Sequence, residues 1–166
     1  MARPRTGPRS NFRSPMPTNA SWAPAAWPIG LGDGNYVCLH PGARVRDKCW
    51  LALRFAQVAD RLAAEFGARI VLTGSAAEAH LAADVAAAMR YPAINAAAPI
   101  SIGAMAALLR HARLLVCNDT GVSHIAAGLG LPSVVVFSRD DIRRWALPTS
   151  ICTAACGIRA ANACRK

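Results

Sequence analysis

Acidic and aromatic residues are both scarce in this chain. Nine Asp and Glu stand against 19 Lys and Arg in 166 residues, and Phe, Trp and Tyr together make up 6%, too few to interleave stacking rings along a basic face. That argues against a nucleic-acid binder, which needs such rings beside its cations. The cationic excess is also uneven. Tyr36–Ser138 holds nine basic and six acidic residues, whereas residues 1–35 hold four against one and residues 139–166 six against two. Basic ends of this kind read as solvated tails, with attraction to an anionic membrane face or to acidic ligands as the functional alternative.

Long apolar runs are missing too. Tyr91–Leu109 and Thr120–Ser138 are each free of charge for 19 residues. Pro92, Asn95, Pro99 and Gly103 interrupt the first, and His124, several glycines and Pro132 the second, so neither reads as a membrane span. No apolar stretch follows the N-terminal arginines, so no secretory leader is expected. No Gly-x-Gly-x-x-Gly follows the first strand-like run, which disfavours an NAD-dependent enzyme. The six cysteines make no framework: Cys38 and Cys117 sit in apolar runs, where a thiol packs as a small hydrophobe. Cys152, Cys156 and Cys164 match no common zinc spacing. Reduced thiols in a cytoplasmic protein, without a metal, are the expectation.

What is present is a dense alternation of elements. Hydrophobic residues reach 54%, alanine foremost, enough for a core of small and aliphatic side chains between closely spaced layers. Residues 1–35, with Pro4, Pro8, Pro15, Pro17, Pro24 and Pro28, carry no period and read as disordered or irregular. Tyr36–His40 then reads as a strand ending at Pro41-Gly42. Leu51, Phe55, Val58, Leu62 and Phe66 repeat at helical spacing, and Gly67 stands where a left-handed C-cap belongs. A strand over Ala68–Thr73 and a helix from about Ala77 to Met89, burying Leu81, Val85 and Met89, come next. A short strand at Ala93–Asn95 leads to a helix capped by Ser101, with Ile102, Met105, Leu108 and Leu109 facing inward. A strand at Leu114–Cys117, a helix from Gly121 to about Leu129 and a strand at Ser133–Phe137 complete the pattern. Continuous apolar strands alternating with helices specify an α/β, Rossmann-like parallel sheet of five strands with helices on both faces. Residues 36–148 form this domain, and residues 149–166 read as an irregular tail.

Ligands of such sheets bind where strands end and helices begin. Three of these junctions stand out. In Asn118-Asp-Thr-Gly-Val-Ser-His124, free helix N–H groups, the hydroxyl of Thr120 and the bare Gly121 suit a phosphate, Asp119 suits sugar hydroxyls, and His124 could donate to either. A plain N-cap explains the same residues without a ligand. In His40–Lys48, a lysine near a helix start opposes the helix dipole, and an anion would explain it; a solvated lysine is the other reading, and Arg44 and Arg46 are lesser candidates. In Thr73–Glu78, Glu78 could accept from ribose hydroxyls or cap the next helix, and the residues alone leave both open.

Taken together, His40-Pro-Gly-Ala…Lys48-x-Trp50, Leu72-Thr-Gly-Ser-Ala-Ala-Glu78, Val116-Cys-Asn-Asp-Thr-Gly-Val-Ser-His124 and Gly130-Leu-Pro-Ser-Val-Val-Val-Phe137 resemble the C-terminal domain of glycosyltransferase family 9, the lipopolysaccharide heptosyltransferases. The resemblance covers about residues 36–147. It implies the C-terminal half of a GT-B fold, binding a nucleotide sugar such as ADP-heptose without a metal or other cofactor. Carried over, Lys48 contacts the donor phosphates, Glu78 the ribose and Asp119 the transferred sugar, while Thr120, Gly121 and His124 hold phosphate. The family's proline after Lys-x-Trp is Leu51 here, and its Gly-Pro-Thr-like loop is replaced by Ser138-Arg-Asp-Asp141. Arg144–Pro148 still resembles the family's next segment. The family's acceptor domain, which carries the general base, has no counterpart, and Asp33 is not assigned that role. The expectation is a donor domain, inactive alone, whose lipid-linked or saccharide acceptor is held by another half. The full enzyme would work in the cytoplasm, at most peripheral to the inner membrane. The alternative is a non-catalytic nucleotide-binding or interaction module on a degenerate half-fold.

Overall fold

The computed structural model describes residues 35–137 and the backbone of a strand at Thr153–Gly157. In chain order the elements are β1 (Tyr36–His40), α1 (Ala52–Phe66), β2 (Arg69–Leu72), α2 (Ala79–Ala88), β3 (Ala93–Asn95), α3 (Ile102–Arg110), β4 (Leu114–Asn118), α4 (Gly121–Leu129), β5 (Ser133–Phe137) and β6 (Thr153–Gly157). Single 3-10 turns at Arg46–Lys48 and Ala76–Glu78 precede α1 and α2. The strands form one sheet in the order β3-β2-β1-β4-β5-β6, and every pair is parallel. This is a Rossmann-like, helix-covered parallel sheet, as the apolar strands and intervening helices require.

The alternation along β1 shows how the two faces are filled. Tyr36 and Cys38 point into a cluster with Met105, Leu108 and Leu109 of α3 and Ala126 of α4. Val37 and Leu39 point the other way, onto Phe55, Ala56 and Ala59 of α1 and Ala82 and Val85 of α2. The buried positions of both helices on that second face are largely alanine, which lets them approach the sheet closely. Cys38 and Cys117 are fully buried and free, and burial pushes both thiols up to about 12, with the Asp119 carboxylate reinforcing the rise at Cys117. They pack as apolar groups.

Several expectations are corrected. A sixth strand, β6, lies in the stretch read as an irregular tail, and its backbone pairs with β5 over five residues. Its sequence, Thr-Ala-Ala-Cys-Gly, has little β propensity, so the signal there is tertiary pairing. On α1 the buried stripe is Phe55, Ala56 and Ala59; Val58 is half-buried and Phe66, the helix's last residue, is 62% exposed. Gly67 takes the left-handed conformation at φ 60° and caps the helix as expected. Helix α2 starts at Ala79, after the 3-10 turn, and Leu81 and Met89 are only partly covered. Ile102, the first residue of α3, is 78% exposed. Cys156 falls on β6; the lead-in over residues 1–34, with Asp33, and Arg144–Pro148, Cys152 and Cys164 lie outside the described residues.

The contrast between two phenylalanines on one helix is testable. Phe55 is fully buried and meets Trp50 edge-on, ring centroids 5.4 Å apart. Phe55→Ala is expected to cost about 3–5 kcal/mol of unfolding free energy. Phe66→Ala should change it by less than ~0.5 kcal/mol. Urea unfolding of both variants reads the difference.

Candidate functional site

The order of strands reverses between β1 and β4: the chain builds outward from β1 through β2 and β3, then crosses to β4 on its other side. At such a switch the loops leaving the two central strands part and open a crevice at the carboxyl edge. A cleft of about 770 Å³ lies at this edge. Its wall is shared by His40, Arg44, Arg46 and Cys49 after β1, Gly74, Ser75 and Glu78 after β2, Ile100 and Ser101 before α3, and Thr120, Gly121 and Val122 at the start of α4. Leu81, Met105 and Ile125 add an apolar side.

The β1 and β4 loops are tied together by two adjacent sets of bonds. Asn118, the last residue of β4, is fully buried; its Nδ2 donates to the Pro41 carbonyl at 2.7 Å and its Oδ1 accepts from the Trp50 amide at 3.0 Å. Next in sequence, Asp119 Oδ2 accepts from Lys48 Nζ at 3.0 Å. The lysine sits on the 3-10 turn before α1 rather than on the helix itself, and its side chain stays 29% exposed against 15% for Asp119. The carboxylate thus answers the cation that the helix dipole opposes.

The β2 loop joins the same cluster through Glu78. Its Oε2 accepts from the Ser75 amide at 2.9 Å and from the Ser75 hydroxyl at 2.7 Å, so the capping role left open by the sequence is realised. The rest of the carboxylate lies against Gly42 of the β1 loop, in the space that a side chain at residue 42 would fill. His40, only 3% exposed, stands behind it: Nδ1 is 3.1 Å from the Thr73 hydroxyl and Nε2 is 3.9 Å from Glu78 Oε2. Burial lowers the His40 pKa, and the Glu78 carboxylate opposes this without reversing it. Burial of Glu78 acts to raise its pKa, but the Ser75 hydroxyl and amide, His40 and His80 outweigh it and hold the carboxyl below its ordinary value.

At α4, Thr120 has an extended N-cap backbone, yet its side chain makes no capping bond. Ser123, one turn in, directs its hydroxyl back to the Thr120 carbonyl at 2.7 Å. A side chain at Gly121 would meet nothing within 4 Å, so the first turn is open to close approach. The geometry therefore gathers Glu78, Thr120, Gly121, Arg44 and Arg46 on the cleft wall, with the Lys48–Asp119 pair between the loops beside it. His124 is exposed on α4 and is not on the wall. Gly42, His40, Ser75 and Asn118 were not assigned site roles from the sequence. An asparagine closing an apolar strand is the sequence signal that could have found the last of them. Among the described residues no group of three or more His, Cys, Asp or Glu is placed to hold a metal ion, and no helix is long and apolar enough to cross a membrane.

Comparison with known proteins is decisive for the family. The model of glycosyltransferase family 9 (heptosyltransferase) matches residues 13–166. The chain belongs to glycosyltransferase family 9. It is 32% identical over 139 residues to lipopolysaccharide heptosyltransferase 3 of Escherichia coli, an alignment covering 77% of this chain and 40% of the relative. Among solved structures it is similar to E. coli heptosyltransferase WaaC with ADP, with TM-score 0.68 and 25% identity over 77% of this chain and 39% of that one. The family 9 glycosyltransferase of Veillonella parvula gives TM-score 0.68 and 25% identity, covering 75% and 35% of the two chains. The chain thus spans about two-fifths of the length of the family 9 relatives it matches.

The two acid–base groups of the cluster set a pH dependence. Because burial lowers the folded pKa of His40 from 6.5, the unfolded chain takes up a proton that the folded chain resists, and stability falls as pH drops below that value. Glu78, depressed from 4.5, contributes stability that is present above that pH and is lost as pH falls through its folded value. Urea midpoints taken at about pH 7.5 and about pH 5.5 should show a decline that is smaller in His40→Gln. An equal decline in both proteins would show that His40 is not its source.

Proposed function

We propose that this chain is the donor-binding, C-terminal half of a GT-B heptosyltransferase. It holds the nucleoside diphosphate of an activated sugar such as ADP-heptose, used in building the lipopolysaccharide core. The observation that carries the reading is one cleft, at the switch point of a family 9 sheet, walled by an acidic acceptor on one side and an uncapped helix N-terminus on the other. The Lys48 cation stands beside it. A similar structure in the same family is described with ADP.

In this reading Lys48 and the amides at Thr120 and Gly121 meet the diphosphate, with Arg44 and Arg46 adding charge at the rim. Glu78 accepts from ribose hydroxyls, which its bonds to Ser75 leave it shaped to do. Asp119 faces the transferred sugar, and in the free protein it balances Lys48. His124, off the wall, would reach phosphate only at the rim of the cleft. As the glycosyl bond breaks, negative charge grows on the departing diphosphate, and fixed N–H groups and Lys48 stabilise it without a divalent cation. The general base belongs to an acceptor-binding domain, so residues 36–148 bind donor and transfer nothing alone. The acceptor is lipid-linked or a saccharide, and the complete enzyme works in the cytoplasm, peripheral to the inner membrane. A non-catalytic nucleotide-binding module would show the same donor binding, but adding an acceptor-binding half would not restore transfer.

Calorimetric titration with ADP, ADP-heptose and UDP-sugars tests the reading; binding of an adenine nucleotide is expected, and no heat with any of them would count against it. Lys48→Ala should weaken ADP by roughly tenfold or more and flatten the salt dependence, as loss of a charge-assisted contact implies. Gly42→Ala has a separate signature. Among the described residues only Gly67 and Gly130 have positive φ, so alanine fits the backbone at residue 42 and only the flexible Glu78 carboxylate must move. Stability should change by less than ~1 kcal/mol, while ADP binding weakens about tenfold through the displaced acceptor.

A further inference from the structure

We infer that Asn118 is a positioning residue for phosphate recognition, holding the β1 loop at both ends so that Lys48 stands at the cleft. The inference rests on the reading of the cleft as a nucleoside diphosphate site. Asn118 touches no ligand in this account; its effect passes through the loop.

The geometry supports it in three steps. First, of the residues between the two clamped points Gly42 and Ala43 are buried, Arg44 to Asp47 exposed and Lys48 and Cys49 half-buried, and the backbone bonds within the loop are those of a single 3-10 turn, Lys48 N to Val45 O at 2.9 Å and Cys49 N to Arg46 O at 3.0 Å. Such a segment fixes little by itself. Second, one buried amide bonds the loop where it leaves β1, at the Pro41 carbonyl, and where it approaches α1, at the Trp50 amide. That task needs a donor and an acceptor on one short side chain, which among the uncharged residues only asparagine supplies at this length. Third, Lys48 lies two residues from one clamped point, and its partner Asp119 follows Asn118 directly. The amide and the ion pair are successive rungs of one bridge across the switch point. Without the amide, the loop that carries Lys48 loses the bonds that fix both of its ends to β4.

The nucleoside end of the cleft depends on other residues, Glu78 and the apolar side at Ile100 and Met105. The expected signature is therefore a split between ligands. In Asn118→Ser, ADP affinity falls at least tenfold while adenosine affinity, followed by NMR titration, stays within twofold. Unchanged ADP affinity overturns the inference, and so does an equal loss for both ligands, which marks a general structural role. If wild-type protein binds no ADP, the underlying reading fails and this inference falls with it; wild-type ADP binding with no split in the variant removes the inference alone. Should Asn118→Ser not fold, amide exchange in the wild-type protein decides. The Trp50 N–H is expected to exchange as slowly as the amides of β4, and exchange at the rate of an unprotected loop overturns the clamp.

Discussion

β1 is bonded in parallel to β2 on one side and β4 on the other, with Leu39 opposite Leu72 and Val116, and His40 opposite Cys117. Parallel pairing makes all three strands end at the same edge, so the segments after residues 40, 72 and 118 must begin within one or two strand spacings of each other. Neighbouring strands lie only about 5 Å apart. That constraint brings three polar loops, distant in sequence, into contact without any dedicated framework. Gly42 yields its side-chain space to Glu78, Asn118 bonds both ends of the β1 loop, and Lys48 reaches Asp119. The helices contribute by keeping the sheet rigid, which their alanine-rich inner faces allow at short range.

Charge in the cluster is arranged so that no ion is stranded. Lys48 and Asp119 are partly buried and paired, and Glu78 receives a hydroxyl and an amide from Ser75 and stands near His40. Each of these pairings has a structural use in the free protein; Glu78, Ser75 and His40 line the cleft, and the Lys48–Asp119 pair stands beside it. In the proposed donor site, an anionic ligand would meet a lysine already paired beside the cleft, so little ordering of that side chain would remain to be done on binding. Phosphate taking over the lysine would free the Asp119 carboxylate for hydroxyl groups. The ion pair is thus consistent both with a stable free protein and with a site that exchanges partners.

Most of the architecture was legible because the apolar strands and helical repeats are long relative to their breaks. The left-handed Gly67, the Ser101 cap and the buried cysteines followed from local chemistry alone. The failures share a cause. Phe66 and Ile102 fit a helical period, but periodicity says which face a residue is on and not whether anything covers it; Phe66 is the last residue of α1 and Ile102 the first of α3, and both are exposed. β6 carries no strand signal because its order comes from the ladder with β5. At the site, sequence spacing named the loops that meet but not their internal bonds. It left Glu78 between capping and ligand contact, where the structure gives it a cap and a place on the cleft wall together. It also placed His124 with the phosphate group, whereas the α4 residues on the cleft wall are Gly121, Val122 and Ile125, with His124 exposed off it.

Two helix starts show how stability and binding separate within one fold. Ser101 and Thr120 both occupy extended N-cap positions before nine-residue helices. Ser101 spends its hydroxyl on the Ala104 amide at 3.1 Å, the ordinary arrangement, which stabilises a helix by about 1 kcal/mol. Thr120 makes no such bond, although its residue type permits one. Both helix starts lie on the cleft wall with Glu78, and the N-terminal amides of α4 lack the side-chain partner that those of α3 have. A structural helix gains nothing from that omission. A helix whose first turn is to receive an anion does, because a capping hydroxyl would compete for the same N–H groups. In the proposed donor site, this difference between two chemically similar residues on one wall is what an anion received at α4, and not at α3, would require.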